Sequence, residues 1–373
     1  MKIRFALACC LLPVAALAHP EGEPVSLRVA ANPLPAGPLG QGAWSFVVDA
    51  GWARLPAGIS LGPTHGGVVV DRAGLVYVSS DGPAGILVFA PGGEFLRSIA
   101  PELSGIHGLV LREEAGREYL YAAHVKGHQV VKLALDGTVL WTMACPTESG
   151  LYPELKDFHP KKEGDKPEAV VTASDGRKFV ADGYLPTAVA VAPDGRIYVA
   201  DGYGTSVIHE YSADRKWQRV IGARGSGDGE FQTCHGLALD LRSGSPLLLV
   251  CDRENKRLVQ LDLDGHFVRT LATGLRRPCA IALMGDYAAV AELEGRVVIT
   301  DRAGKIVATL GDNPDQAQWA AFQLAPEFWR DGIFIAPHGL AFDAAGNLYV
   351  QDWNYRGRLT KLRRTVTGLA LAR

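Results

Sequence analysis

Six stretches of this 373-residue chain repeat one unit. They read PTHGGVVVD (63–71), GIHGLVL (105–111), LPTAVAVAPDG (185–195), TCHGLALD (233–240), RPCAIALMGD (277–286) and APHGLAFD (336–343). A second apolar run follows in most copies, clearest in GLVYVSSD (74–81), GRIYVADGY (195–203), PLLLVCDRE (246–254) and GNLYVQDWN (346–354). Alternation of period two, broken by Asp-Gly and Ala-Gly turns, marks paired strands. Later runs such as ILVFAPGGEFLRSI and RVVITDRAGKIVATL bring each unit to four strands. Equivalent positions recur at intervals of roughly 42 to 59 residues, with one of about 80, close to the spacing of propeller blades. The pattern predicts an all-β chain: a six-bladed β-propeller with four-stranded blades.

The long interval locates an insertion at about 145–181, and a second, 311–336, precedes the last copy and is expected to contain a short helix. Both run into the first strand of a blade, so they belong to one face of the ring. WSFVVDAGWARL (44–55) reads as a strand that closes the ring with the last blade, removing free edges. Ahead of the propeller, taken as residues 44–373, the Pro- and Gly-rich segment 19–43 reads as a flexible leader. Residues 1–18 carry a basic start, a short apolar run and an A-x-A ending at Ala18, the form of a cleaved signal peptide. That predicts a periplasmic or secreted protein. No later apolar stretch has the length of a transmembrane span. A net charge of −2 gives no electrostatic footprint for nucleic acid. The expected partner is a peptide or small-molecule substrate in the central funnel of a monomer.

Four copies place a histidine before glycine at the same position: His65, His107, His235 and His338; the other two carry Thr187 and Cys279. Closing the units into a ring turns these side chains toward the axis. His107, His235 and His338 come from blades two, four and six, about 120° apart, an arrangement that suits three ligands to one ion. Three imidazoles with an open position make a catalytic zinc site. The competing reading is that each histidine hydrogen-bonds backbone in the channel. His65 is a candidate fourth ligand or a group facing substrate. Cys279 is a candidate thiolate ligand, a small buried residue, or a disulfide partner of Cys234. A mixed His and Cys set would also suit copper. His159, His209 and His266 read as solvated.

The stretch 186–263, with PTAVAVAPDGRIYVADGYGTSVIHEY, GARGSGDGEFQTCHGLALD and LVCDRENKRLVQLD, resembles the NHL-repeat propellers. Within them it is most similar to the peptidyl-α-hydroxyglycine α-amidating lyase family. That resemblance implies zinc on His107, His235 and His338, a catalytic tyrosine at Tyr203 in D-G-Y, and a substrate-contacting arginine at Arg253 in D-R-E-N. Three positions depart from the family: Ser80 stands where it has another arginine, Gly339 where an aspartate binds structural calcium, and Gly204 where it has a cysteine. The implied activity is cleavage of the N–Cα bond of α-hydroxyglycine peptides or related carbinolamides. Alternatives are a non-catalytic propeller that binds a peptide, glycan or protein on its funnel face, and a calcium-dependent lactonase. Calcium prefers oxygen ligands, so the histidines count against the last. For Tyr203 the plainer role is a rim aromatic, and for Arg253 an ion pair with Asp201 or Asp252.

Overall fold

Several hairpins of the blades close on turns whose first residue is an aspartate. In DRAG (71–74) the Asp71 carboxylate accepts the Leu75 N–H at 2.8 Å, and Gly74 takes φ 82°, a left-handed value that glycine adopts without cost. In DAAG (343–346) Asp343 accepts the N–H groups of Ala345 and Asn347, both at 2.9 Å. Such turns join successive strands of one blade, so each unit folds as an antiparallel meander.

The computed structural model describes residues 37–154, 170–172, 176, 178–180 and 183–365. Among these, six four-stranded meanders form the six-bladed ring that the repeats predict. Their innermost strands are Val68–Val70, Ile106–Glu114, Ala188–Val191, Cys234–Asp240, Pro278–Met284 and Pro337–Phe342. The sixth blade takes its fourth strand from the other end of the chain: Trp44–Asp49 pairs antiparallel with Arg358–Arg364, Phe46 opposite Arg364. Leu39–Gln41, inside the segment expected to be a flexible leader, adds a fifth strand beside Trp44–Asp49. Blade six is also tied to blade one, where Gln351 Nε2 donates to the Ser79 carbonyl at 2.8 Å.

The core lies between blades rather than inside one. One apolar cluster fills each junction, for example Val297, Ile299, Leu340, Val350 and Leu362 between blades five and six, and Ile86, Val88, Leu120, Ala122 and Val131 between one and two. Each fully buried Leu, Ile or Val contributes about 1.5–3 kcal/mol, so every blade depends on both neighbours. The segment 311–336 contains two 3-10 turns, Gln316–Gln318 and Pro326–Phe328, where sequence led us to expect a short helix. It packs Leu324, Phe328 and Trp329 against Cys279, Leu293 and Trp353. Most of 145–181 and all of residues 1–18, expected from sequence to be a signal peptide, lie outside the described residues. No helix among those described is long and apolar enough to cross a membrane.

Candidate metal centre

Each second strand ends in a residue that latches the chain entering the first strand of its own blade. Asp201 accepts the Leu185 N–H at 2.6 Å, Asp252 that of Gln232 at 2.8 Å, and Glu292 that of Arg276 at 2.6 Å. Asp352 accepts Ile335 and Ala336 at 3.0 and 2.8 Å. In blade two His124 Nε2 donates to the Ser104 carbonyl at 2.9 Å, and in blade one Ser80 Oγ donates to the carbonyl of Leu61. Each latch lies two to four residues before an axial side chain and fixes where that side chain starts. The Ser80 hydroxyl is therefore spent on the backbone of its own blade.

The axial histidines converge. Ring centroids of His107, His235 and His338 lie 4.7–4.8 Å apart, and His65 stands 4.7 Å from His107 and 4.9 Å from His338. All four are buried. His107 Nδ1 lies 2.7 Å from the Thr187 carbonyl and His235 Nδ1 2.9 Å from the Cys279 carbonyl. A carbonyl only accepts, so both Nδ1 atoms carry the proton and both Nε2 atoms present lone pairs to the axis. Neither ring nitrogen of His338 has a hydrogen-bond partner among the described residues, although both are buried.

The glycine after each histidine makes this possible. A Cβ on Gly108 would lie 2.6 Å from the Thr187 oxygen, and one on Gly236 2.3 Å from the Cys279 oxygen. Those are the two carbonyls that hold His107 and His235. On Gly66 and Gly339 it would meet the carbonyl oxygens of Ile106 at 2.3 Å and Gly66 at 2.2 Å. Histidine and glycine thus act together: the bare Cα lets the next blade approach closely.

Tyr203 reaches the middle of the cluster. Its hydroxyl lies 2.9 Å from His235 Nε2, 3.1 Å from His107 Nε2 and 3.3 Å from His65 Nε2, and it accepts from Arg253 Nη1 at 3.3 Å. Arg253 is buried and pairs with Glu254 at 2.8 Å, not with Asp201 or Asp252, and Glu254 also holds Arg277 at 2.7 Å. Two guanidinium groups against one carboxylate leave a net positive charge beside the cluster. Asp81 faces His65 at 3.8 Å, and the Trp353 ring lies 5.9 Å from His65 and is tilted against Phe322 at 4.7 Å. Asp81, Glu254, Arg277 and Trp353 were not singled out from sequence. The signal for them was their place one or two residues beyond the latch, or, for Arg277, two before Cys279. His107, His235 and His338 line a pocket of about 80 Å³ that extends past Val68, Leu109, Leu237 and Leu340.

Burial dominates the protonation states. It pushes His107 down to about 3, the Arg253 charge adding to the effect while the bond to Thr187 opposes it, and holds His235 and His338 well below the usual imidazole range. Burial raises the Tyr203 phenol despite Arg253. The centre is therefore neutral and rich in lone pairs: the Nε2 atoms of His107 and His235 and the Tyr203 oxygen face one another with one hydroxyl hydrogen to share. A cation relieves that arrangement. Donor atoms of His65, His107 and His338 lie within 4.8 Å of one another, as do those of His235, Cys279 and His338. These buried triads can bind a metal ion.

Two expectations change. His209 is fully buried, accepting from Trp217 Nε1 at 3.3 Å and meeting the Tyr152 hydroxyl at 2.6 Å, because Tyr152 and Tyr184 pack over it. All four described cysteines are free thiols, so Cys234 and Cys279 form no disulfide. His266 is exposed, as expected, and His159 lies outside the described residues.

Residues 188–289 match a family described as a 6-bladed beta-propeller. No curated protein matches the sequence. Among solved structures, a streptogramin B lyase aligns at TM-score 0.51 with 15% identity, covering 87% of this chain and 99% of that one. A gluconolactonase from Xanthomonas campestris aligns at TM-score 0.52 with 14% identity, covering 89% and 99%. A catalytically inactive virginiamycin B lyase from Staphylococcus aureus, with quinupristin, aligns at 0.50 with 11% identity, covering 87% and 98%. At these identities the likeness is one of fold: this chain is a six-bladed propeller of the shape that those lyases and lactonases share.

Proposed function

We propose that this protein is a metal-dependent carbon–nitrogen lyase that splits the N–Cα bond of α-hydroxyglycine peptides or related carbinolamides, and that it acts in the periplasm or outside the cell. The observation that carries the reading is the Tyr203 hydroxyl within hydrogen-bond distance of His65, His107, His235 and Arg253, beside a buried His338 whose ring nitrogens have no hydrogen-bond partner among the described residues. His107, His235 and His338 would hold the ion, with His65 beside them, and their nitrogen lone pairs suit zinc or copper better than calcium. The Gly339 backbone offers no carboxylate for the structural calcium that the family resemblance implies. A bound cation would supply Lewis-acid stabilisation of a developing oxyanion and lower the pKa of nearby phenol and hydroxyl groups.

The remaining roles fall to side chains. Tyr203, deprotonated, takes the proton of the carbinol hydroxyl. The electron pair left on that oxygen by the broken O–H bond then forms the carbonyl, the C–N pair leaves with the amide nitrogen, and that nitrogen takes up a proton. The products are an amide and glyoxylate, with no net redox change. Arg253 donates to the Tyr203 oxygen and favours its anionic form, and the positive rim made with Arg277 attracts the carboxylate of the substrate.

The test is metal analysis of protein purified without chelators, followed by assay of glyoxylate release from α-hydroxyhippurate. About one zinc or copper per chain is expected, largely lost in His338→Ala. Tyr203→Phe should slow glyoxylate release by about 10²–10⁴. Retention of the metal in His107→Ala, His235→Ala and His338→Ala alike would refute the site. Metal without glyoxylate would refute the lyase and favour a binding propeller.

A further inference from the structure

The fifth blade places a thiol where four other blades place imidazole. We propose that Cys279, with His235 and His338, forms a soft-metal site that takes copper in preference to zinc, sharing His338 with the His65, His107 and His338 triad and both histidines with the proposed zinc set of His107, His235 and His338. The proposal rests on the reading that the axis binds a cation.

Three observations carry it. The donor atoms of His235, Cys279 and His338 lie within 4.8 Å of one another, close enough for a small shift to bring them onto one ion. His338 is 2% exposed, and both its ring nitrogens lack a partner among the described residues, so it is a buried polar group still in need of a ligand. His235 Nδ1 donates to the backbone carbonyl of Cys279 itself at 2.9 Å, which fixes these two residues against each other and turns the His235 Nε2 lone pair inward.

The chemistry of the set selects the ion. Two imidazoles and one thiolate in a trigonal arrangement are the donors of copper sites, and thiolate favours copper(I) among the common ions. Burial raises the Cys279 thiol to about 11, so without a cation it stays protonated and is a poor nucleophile. On binding, the thiol gives its proton to solvent and the sulfur lone pair goes to the ion. Arg253 and Arg277 stabilise the anionic sulfur. Copper held here takes His235 and His338 away from the all-imidazole set, so zinc and copper exclude each other.

Cobalt(II) reports both sets at once. Titrated into chelator-treated full-length protein, it should give visible ligand-field bands and, in addition, a near-ultraviolet sulfur-to-cobalt charge-transfer band. Cys279→Ser should lose the charge-transfer band while keeping the ligand-field bands, and should lose at least tenfold in copper(I) affinity measured by competition with a chromophoric chelator. Ligand-field bands without charge transfer in the wild type would overturn the thiolate site and leave the imidazole centre standing. A charge-transfer band that survives Cys279→Ser but disappears in Cys251→Ser would assign it to the wrong thiol and equally overturn the proposal. Absence of any cobalt spectrum would overturn the metal centre itself. Cys279→Ala, with its melting temperature recorded alongside, separates loss of the ligand from loss of the fold.

Discussion

Gly236→Ala adds a single methyl group next to the axial histidine of blade four, and the geometry sets what it should cost. The new Cβ would lie 2.3 Å from the Cys279 carbonyl oxygen, 3.1 Å from its carbon and 3.2 Å from Cys251 Sγ. A relaxed carbon–oxygen contact is roughly 3.3 Å, so the strands of blades four and five must part by about 1 Å. Overpacking of this kind costs about 1–3 kcal/mol. The same carbonyl accepts His235 Nδ1 at 2.9 Å, and parting the strands leaves a buried donor and acceptor unmatched, at about 1–3 kcal/mol more. Gly236 does not adopt a left-handed φ, so alanine adds no backbone strain there and returns about 0.4–1 kcal/mol by restricting the unfolded chain. The net expectation is a loss of about 1–6 kcal/mol. Because the bond that orients His235 goes with it, zinc affinity should fall about 10- to 100-fold. Urea unfolding of chelator-treated protein reads the first quantity and zinc titration the second. Gly227→Ala is the control, since its Cβ would meet only the flexible end of Glu230 at 3.1 Å. A Gly236→Ala protein as stable as the wild type, with unchanged zinc affinity, would refute the claim that glycine and histidine act as one device.

The latch makes a second expectation. Asp352→Ala strips two buried N–H groups of their acceptor and leaves Arg358, 3.4 Å away, without its carboxylate; about 3–5 kcal/mol of destabilisation should appear in the urea midpoint. Acid stability tests the burial of His209, which desolvation pushes down to about 4. Its unfolded counterpart titrates near 6.5, so between about pH 6.5 and 4 the unfolded chain binds the extra proton and stability falls as pH falls, by up to about 1.4 kcal/mol per pH unit. His209→Gln should flatten that limb of the urea-midpoint profile, and an unchanged slope would mean that His209 is not held neutral.

Much of the ring was legible because its rules are local. Alternation, Asp-x-x-Gly turns and a blade-length repeat act within one unit, so GNLYVQDWN and PLLLVCDRE declare their strands without reference to the rest of the chain. The axial set was legible for the same reason: equivalent positions in equivalent units point the same way. What stayed hidden depends on neighbours. Nothing within TCHGLALD says that Gly236 faces a carbonyl of the next blade, or that His235 bonds to that same carbonyl. His209 reads as a solvated residue of an outer strand, and it is buried only because Tyr152 and Tyr184, 57 and 25 residues before it in the chain, fold across it.

The one axial position with no imidazole or thiol explains how the centre admits a tyrosine. Six histidines around one axis would fill it and leave no room for a side chain from the funnel. Blade three supplies Thr187, whose hydroxyl lies 3.2 Å from the Cys234 carbonyl and 3.3 Å from that of Ala200, turned into the wall. Its own carbonyl is the acceptor for His107. The loop of the same blade carries Tyr203, held from below by Asp201, which accepts the N–H and hydroxyl of Thr205 at 2.7 and 2.6 Å and the Tyr152 hydroxyl at 2.9 Å. A phenol therefore enters through the blade whose axial side chain is short and already satisfied by backbone. The break in the histidine pattern at position 187 and the presence of Tyr203 sixteen residues later are two parts of one arrangement. Symmetry supplies the imidazole nitrogens, and the break in symmetry supplies the oxygen that lies among them.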